Sequence, residues 1–227
     1  MADISTEPRS QFATEESRLI IVGTDADARV ALDIANTLNV IVYGFMSDNA
    51  EDEGKDINDI PVVMRVDSVE GKKFIDAEKP DLIVTDRDIE RRKDLLRKAY
   101  PRKANFVNLV YPDIVISPYS GMGVGNLIGS GCVILANSRI GSHNSIQSGV
   151  FIDTDVTIGE LCTIQAGVKI GRNVTIDDEV FIGAGAILFA GAKIGKGVFI
   201  APGAVVYHSV TDNVRVAGNP AKPTGNG

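Results

Sequence analysis

The chain holds few side chains that titrate near neutral pH. It has two histidines, His143 and His208, and two cysteines, Cys132 and Cys162. An imidazole is the commonest general base because its unperturbed pKa lies close to physiological pH. His143 stands in Ile140-Gly-Ser-His-Asn-Ser-Ile146, at a corner position that faces outward. Two readings stay open for it: a base that touches substrate, or a histidine in solvent or at a subunit interface. His208 falls where the regular pattern ends and reads as structural or exposed. Both cysteines sit in a column of small residues and read as buried thiols that pack like small apolar groups. They are thirty residues apart, which places them on different faces, so no disulfide is expected.

What positions these residues is a period of six. From Ile116 to Val206 every sixth residue is aliphatic, sixteen positions of which thirteen are Ile. A second column two residues upstream is small, as at Cys132, Ser138, Val150, Cys162 and Ala186. Gly recurs just after the aliphatic position, at Gly129, Gly141, Gly159, Gly171, Gly183 and Gly195. Neither a helix nor an alternating strand requires this spacing. It is the signature of a β-helix solenoid, in which each coil buries its apolar side by stacking on its neighbours.

The first half reads differently. Residues 1–17 are polar and aperiodic and are expected to form a tail. Arg18-Leu-Ile-Ile-Val-Gly23, Asn39–Phe45 and Pro80–Thr85 read as buried parallel strands. Helical spacing covers Asp25–Leu38, Val69–Glu78 and Asp88–Tyr100, and Asn105–Val110 reads as one further strand. Strand and helix alternating in so short a chain predict a small Rossmann-like parallel α/β domain. Pro101 and Pro112 punctuate its exit. The expected organisation is therefore a tail (1–17), an α/β domain (18–112), a parallel β-helix (113–210) and a closing segment (211–227).

Composition narrows the partners. Thirty acidic residues against twenty-three basic ones give a formal charge of -7, which disfavours nucleic acid and anionic membranes. No apolar run is long enough to span a bilayer, and the N-terminus lacks a basic-then-apolar signal. A soluble, cytoplasmic protein without membrane insertion is expected.

With these residues in view, the repeat resembles the left-handed β-helix of hexapeptide-repeat acyltransferases, with three hexapeptides per coil and about five coils. Val216-Ala-Gly-Asn-Pro-Ala-Lys222 resembles that family's closing motif near coenzyme A. The N-terminal half, through Leu19–Gly23, Val42–Asp48 and Pro80–Thr85 followed by Arg91 and Arg92, is similar to the sugar-binding domain of bacterial nucleotide-sugar N-acetyltransferases. A sister branch O-acetylates sialic acid. The resemblance implies acetyl-CoA as cosubstrate, a nucleotide-linked amino sugar as acceptor, no metal, and a homotrimer whose donor groove lies between two prisms. It implies that Gly171 and Arg172 offer backbone N–H groups to the thioester oxygen. Ala184, Pro202, Asn219 and Pro220 then line the pantetheine and nucleotide path, and Thr24, Ser47 and Asp48 meet the sugar nucleotide.

The departures bear on the chemistry. The family's usual Gly-Ala-Gly-Gly-His-Ala loop is Gly23-Thr-Asp-Ala-Asp-Ala28 here, with a carboxylate at Asp25 that would repel a diphosphate. The family's Glu-His-Asp-Cys is Asp153-Thr-Asp-Val156, so Thr154 stands at the position of the general base, and Thr163 replaces a second histidine. A threonine cannot act as a base near pH 7. Asp155 could hold a substrate amine or a water, or could be a turn residue on the prism edge; with His143 and Thr154 it completes the catalytic candidates. A neutral amine attacks a thioester unaided, whereas a hydroxyl needs its proton removed. The missing base therefore favours N-acetylation over O-acetylation, and leaves a non-catalytic relative that binds nucleotide sugar or coenzyme A as the alternative.

Overall fold

The computed structural model describes residues 11–99 and 104–226. The first ten residues of the expected tail, Tyr100, Pro101 and Gly227 lie outside the described residues. The α/β unit runs β1 (Arg18–Val22), α1 (Ala26–Thr37), β2 (Ile41–Ser47), β3 (Asp56–Ile57), β4 (Ile60–Arg65), α2 (Val69–Glu78), β5 (Asp81–Val84), α3 (Ile89–Ala99) and β6 (Asn105–Phe106). Its sheet has the order β3-β4-β2-β1-β5-β6, parallel except for the β3–β4 hairpin. Apolar β1 lies at the centre and is buried on both faces, as a continuous Leu19–Val22 run requires. Side-chain caps set the helix starts: Asp25 accepts from Ala28 N–H at 3.0 Å, and Ser68 accepts from Gly71 N–H at 2.9 Å.

Two sequence expectations are corrected here. Residues 11–17 are tied to the fold rather than forming a tail. Asn108 N–H donates to Gln11 C=O at 2.7 Å and Ala13 N–H donates to Asn108 C=O at 3.1 Å, a parallel bridge of Phe12 with Asn108 that satisfies both backbone groups of Asn108. The single strand expected over Asn105–Val110 is also split. Asn105–Phe106 completes the α/β sheet beside β5, while Leu109–Val110 pairs with Leu127–Ile128 and opens the solenoid. The turn between them is held from inside: Asn108 Oδ1 accepts from Asn126 N–H and Nδ2, and Asn126 Oδ1 accepts from Asn144 N–H and Nδ2. These buried amides satisfy one another along the prism axis, one coil apart.

The solenoid is a three-sided prism of two-residue strands, a hexapeptide left-handed β-helix. One face runs from Leu109–Val110 to Phe199–Ile200 and is continued by Val214–Ala217; a second runs from Val115–Ile116 to Val205–Val206; a third from Gly121–Met122 to Lys193–Ile194. The six-residue column points inward and forms one continuous core with the small column between its members. Three residues past most inward residues the backbone turns through positive φ, at Asn137 (63°), His143 (60°), Asp155 (59°), Leu161 (60°), Asn173 (57°) and Glu179 (61°), with Gly at many of the equivalent corners. Asn, Asp, His and Gly are the residues that best tolerate this conformation. The α/β unit covers the lower part of the first face, where the outward Leu109 and Leu127 join the core under α1.

Candidate functional site

The sheet order reverses at β1 and β5, and the crevice beyond the C-terminal ends of strands at such a reversal is the usual ligand position in open α/β sheets. Gly23 leaves β1 with φ +124°, and a Cβ there would overlap the Thr85 carbonyl oxygen, so the strand exit has room only for glycine. Thr24 and Ser47 come together at Asp52, both donating to its Oδ2, at 3.2 and 2.8 Å. The Ser47 hydrogen bond, with smaller help from Lys55 and Thr24, holds the Asp52 carboxyl below the ordinary carboxylate range. Asp48 lies apart from them, against α3. Burial pushes its carboxyl up, but the guanidinium of Arg91 and the ammonium of Lys98 (2.7 Å) more than offset this and leave it below its ordinary value. Asp25 is occupied: its two oxygens accept from Ala28 N–H and from Arg87 N–H at 3.2 Å. The N-terminus of α1, a natural seat for an anion, is thus filled by the chain's own carboxylate.

A cleft of about 120 Å³ opens where the α/β unit meets the first face of the prism, lined by Asp27, Arg87, Ser145, Gln147 and Ser148 among others. Asp27 is only 2% exposed. Its Oδ1 takes Arg87 Nε at 2.6 Å and its Oδ2 takes the Ser145 hydroxyl at 2.7 Å. Gln147 uses its Oε1 on Ala166 N–H, and its buried Nε2 has no partner among the described residues. A carboxylate, a partly exposed guanidinium and an unused amide donor converging on one cavity suit a small ligand with both an amine and oxygen acceptors. Sequence reading missed this group. The one signal for it was Asp27, at the place where the resembled family writes histidine in its first loop.

The remaining candidates fall on separate prism edges. Thr154 and Asp155 lie one coil below Arg172 and Asn173, with Asn173 N–H donating to Thr154 C=O at 3.0 Å. Asp155 is exposed at its left-handed corner and accepts from Asn137 Nδ2 at 3.0 Å. Gly171 requires a correction. Its N–H donates to Leu188 C=O at 2.9 Å as part of the coil-to-coil ladder, so it is spent on the prism and cannot also serve a thioester oxygen. Arg172 is exposed, and its C=O accepts from Gly191 N–H. Ala184, Pro202, Asn219 and Pro220 share a second edge, all exposed. There a Cβ on Gly183 would overlap the backbone of Pro202, so the coils close up and present a flat run of small residues. His208 is exposed near the end of the prism. No group of three or more His, Cys, Asp or Glu residues able to hold a metal occurs among the described residues, and no described helix is long and apolar enough to cross a membrane.

His143 occupies the third edge. It points outward from the prism, but the α/β unit covers it: it is 8% exposed and packs edge-on against Phe106 with ring centroids 4.9 Å apart. Burial, with a smaller contribution from the Arg92 charge, pushes its imidazole down from 6.5 to about 4. The ring is neutral at physiological pH. As pH falls the unfolded chain takes up this proton first, so the stability it contributes is complete above about 6.5 and is lost on the way to about 4. That loss amounts to roughly 3 kcal/mol. His143→Asn, which keeps a residue tolerant of the left-handed corner, is expected to flatten this part of the pH–stability curve in denaturant titrations. An unchanged slope between about pH 4 and pH 7 would show that the imidazole does not titrate with folding.

Comparison with known proteins places these features in context. The family model described as bacterial transferase hexapeptide (six repeats) matches residues 155–190. PerB from Caulobacter crescentus, solved with CoA and GDP-perosamine, is similar at 26% sequence identity and a TM-score of 0.84, over 92% of this chain and 98% of its own. A histidine-to-alanine variant of GDP-perosamine N-acetyltransferase from the same organism gives 26% and 0.85, over 93% and 98%. The acetyltransferase domain of PglB from Neisseria gonorrhoeae, solved with acetyl coenzyme A, shares the fold at 24% and 0.82, over 91% and 98%. No curated protein sequence matches the chain.

Proposed function

We propose that this chain, a hexapeptide-repeat acyltransferase related to nucleotide-sugar N-acetyltransferases, moves acetyl from acetyl-CoA to the amine of a nucleotide-linked amino sugar in the cytoplasm. The observation that carries the reading is the likeness to PerB across both units, a protein solved with CoA and GDP-perosamine together. The β1/β5 crevice receives the nucleotide near Thr24, Ser47 and Asp48, and the amine reaches the cleft of Asp27 and Ser145. The edge of Ala184, Pro202, Asn219 and Pro220 receives the pantetheine arm. The cleft lies on the lower first face and the Ala184 and Pro202 edge borders that face two coils higher; a second copy alongside completes the groove between them, and a homotrimer supplies it. The uncovered second face suits that contact: its outward Val115 and Ile187 are 58% and 37% exposed. The α/β domain is taken as 18–112, the prism as 113–210 with Leu109–Val110 as its first rung, and 211–227 as the closing segment.

In the reaction the amine nitrogen attacks the thioester carbon, the C–N bond forms, the C–S bond breaks, and the surplus proton leaves with the coenzyme A thiolate. No histidine is needed for this, because a neutral amine carries its own lone pair. Positioning supplies the advantage instead. Asp27 and Asp155 are the carboxylates that can hold the acceptor's N–H groups, and Asp27 is the better placed because it lines a cavity. Thr154 offers only a hydroxyl.

Acetyl-CoA at a hundredfold excess over its Kd is expected to stabilise the protein by about 2.7 kcal/mol, read as a thermal shift. Thiol release should then follow on adding nucleotide-linked amino sugars, GDP-perosamine among them. Absence of a shift at millimolar acetyl-CoA would overturn the proposal. A shift without thiol release would instead favour a non-catalytic binder, the reading that the filled α1 N-terminus at Asp25 supports.

A further inference from the structure

Ser145 and Thr163 are partners in register on neighbouring rungs of the first face, and both point outward. Each hydroxyl reaches a different loop of the α/β unit. Ser145 meets Asp27, as described. Thr163 is fully buried; its Oγ1 donates to Arg87 C=O at 3.1 Å and accepts from Arg92 Nη1 and Nη2 at 3.1 and 3.2 Å. Arg92 is 1% exposed and also donates to Asp86 C=O, and to Leu161 and Cys162 C=O at 3.0 Å each. Arg87 is therefore fixed at three points: its N–H on Asp25, its guanidinium on Asp27 and its carbonyl on Thr163. Of these only the carbonyl contact comes from the prism.

We propose that Thr163 and Arg92 form a positioning pair: they pin residues 86–88 to the prism so that Arg87 faces Asp27 across the cleft, and they thereby set the affinity of the cleft for the acceptor. This deepens the acetyl-transfer reading and rests on it. Neither residue touches the acceptor. A threonine suits the position because one hydroxyl donates and accepts at once, and valine keeps the shape while losing both functions. The side chain that stands where the resembled family has a second histidine has thus become a fastener of the α/β unit.

The test compares wild type, Thr163→Val and Thr163→Ser. Hydrogen–deuterium exchange of the segment over residues 86–92 needs no substrate. It is expected to quicken about tenfold in Thr163→Val and to return in Thr163→Ser. In thiol-release assays with GDP-perosamine and UDP-linked amino sugars, Thr163→Val is expected to raise the acceptor KM about tenfold and leave the acetyl-CoA KM unchanged, with Thr163→Ser restoring it. Unchanged exchange overturns the proposal whether or not wild type turns over. Quickened exchange with an unchanged acceptor KM in an active wild type, or equal rises in both KM values, overturns it as well. A wild type inactive on every acceptor sinks the acetyl-transfer reading, and the exchange result then decides the positioning of Arg87 alone.

Discussion

Asp27→Asn is expected to lower kcat/KM for the amine acceptor by about 10²-fold while acetyl-CoA binds as before. A carboxylate offers about four acceptor sites, and Arg87 Nε and the Ser145 hydroxyl use one on each oxygen. Sites remain for the N–H groups of an amine in the cleft, whose lone pair is then directed away from the protein. An asparagine keeps the volume and one oxygen but turns an NH₂ group toward one of two donors, Arg87 or Ser145. It loses the charge that balances Arg87, and the guanidinium then competes with the incoming amine. The donor edge at Ala184 and Pro202 is untouched by this change, so the acetyl-CoA thermal shift serves as the internal control. Steady-state kinetics against both substrates decide it: an unchanged acceptor kcat/KM would remove Asp27 from the site, and an equal loss of acetyl-CoA binding would mark it as a folding residue.

The prism was legible because its physics is periodic. An inward position recurs every six residues, so the Ile column registers the interior directly, and the α1, α2 and α3 segments carried the ordinary helical spacing. The same periodicity gives His143 and Asp155 a backbone role besides any chemistry: both belong to the column of left-handed corners, which Asn137 and Asn173 share with many Gly and with Leu161 and Glu179. The junction was hidden for the opposite reason. Asp27 and Ser145 are separated by 118 positions, and no local pattern connects a helix N-terminus to an outward rung of a solenoid. The outward column of the first face reads Leu109, Leu127, Ser145, Thr163, Phe181, Phe199, and its hydroxyl pair gains meaning only once the α/β unit is docked upon it. Asn105–Val110 looked like one strand because side-chain pattern does not show where a chain leaves one sheet for another.

Arg92→Leu is expected to cost about 3–5 kcal/mol, lowering Tm by about 10 °C. The sign is not obvious in advance. A guanidinium 1% exposed has lost its hydration, and desolvation pulls its pKa down from the ordinary arginine value, so removing it relieves a large cost. Apolar replacement of a complete buried ionic network can even stabilise a protein. Here, however, one partner goes and the others stay. The carbonyls of Asp86 and Leu161 lose the donor that Arg92 supplies, in a junction where water has little access. Each orphaned acceptor costs about 1–3 kcal/mol, and leucine adds only modest apolar contact at the junction. The balance therefore falls on the side of destabilisation. The double variant Arg92→Leu with Thr163→Val removes one more polar group from the same contact and should cost less than the two single changes added together, since neighbours in one network do not add independently. Denaturant titration of the four proteins checks this. A single Arg92→Leu variant as stable as wild type would mean that desolvation of the guanidinium already cancels its hydrogen bonds, and that the docking of the α/β unit rests on Leu109, Leu127 and Asp27 instead.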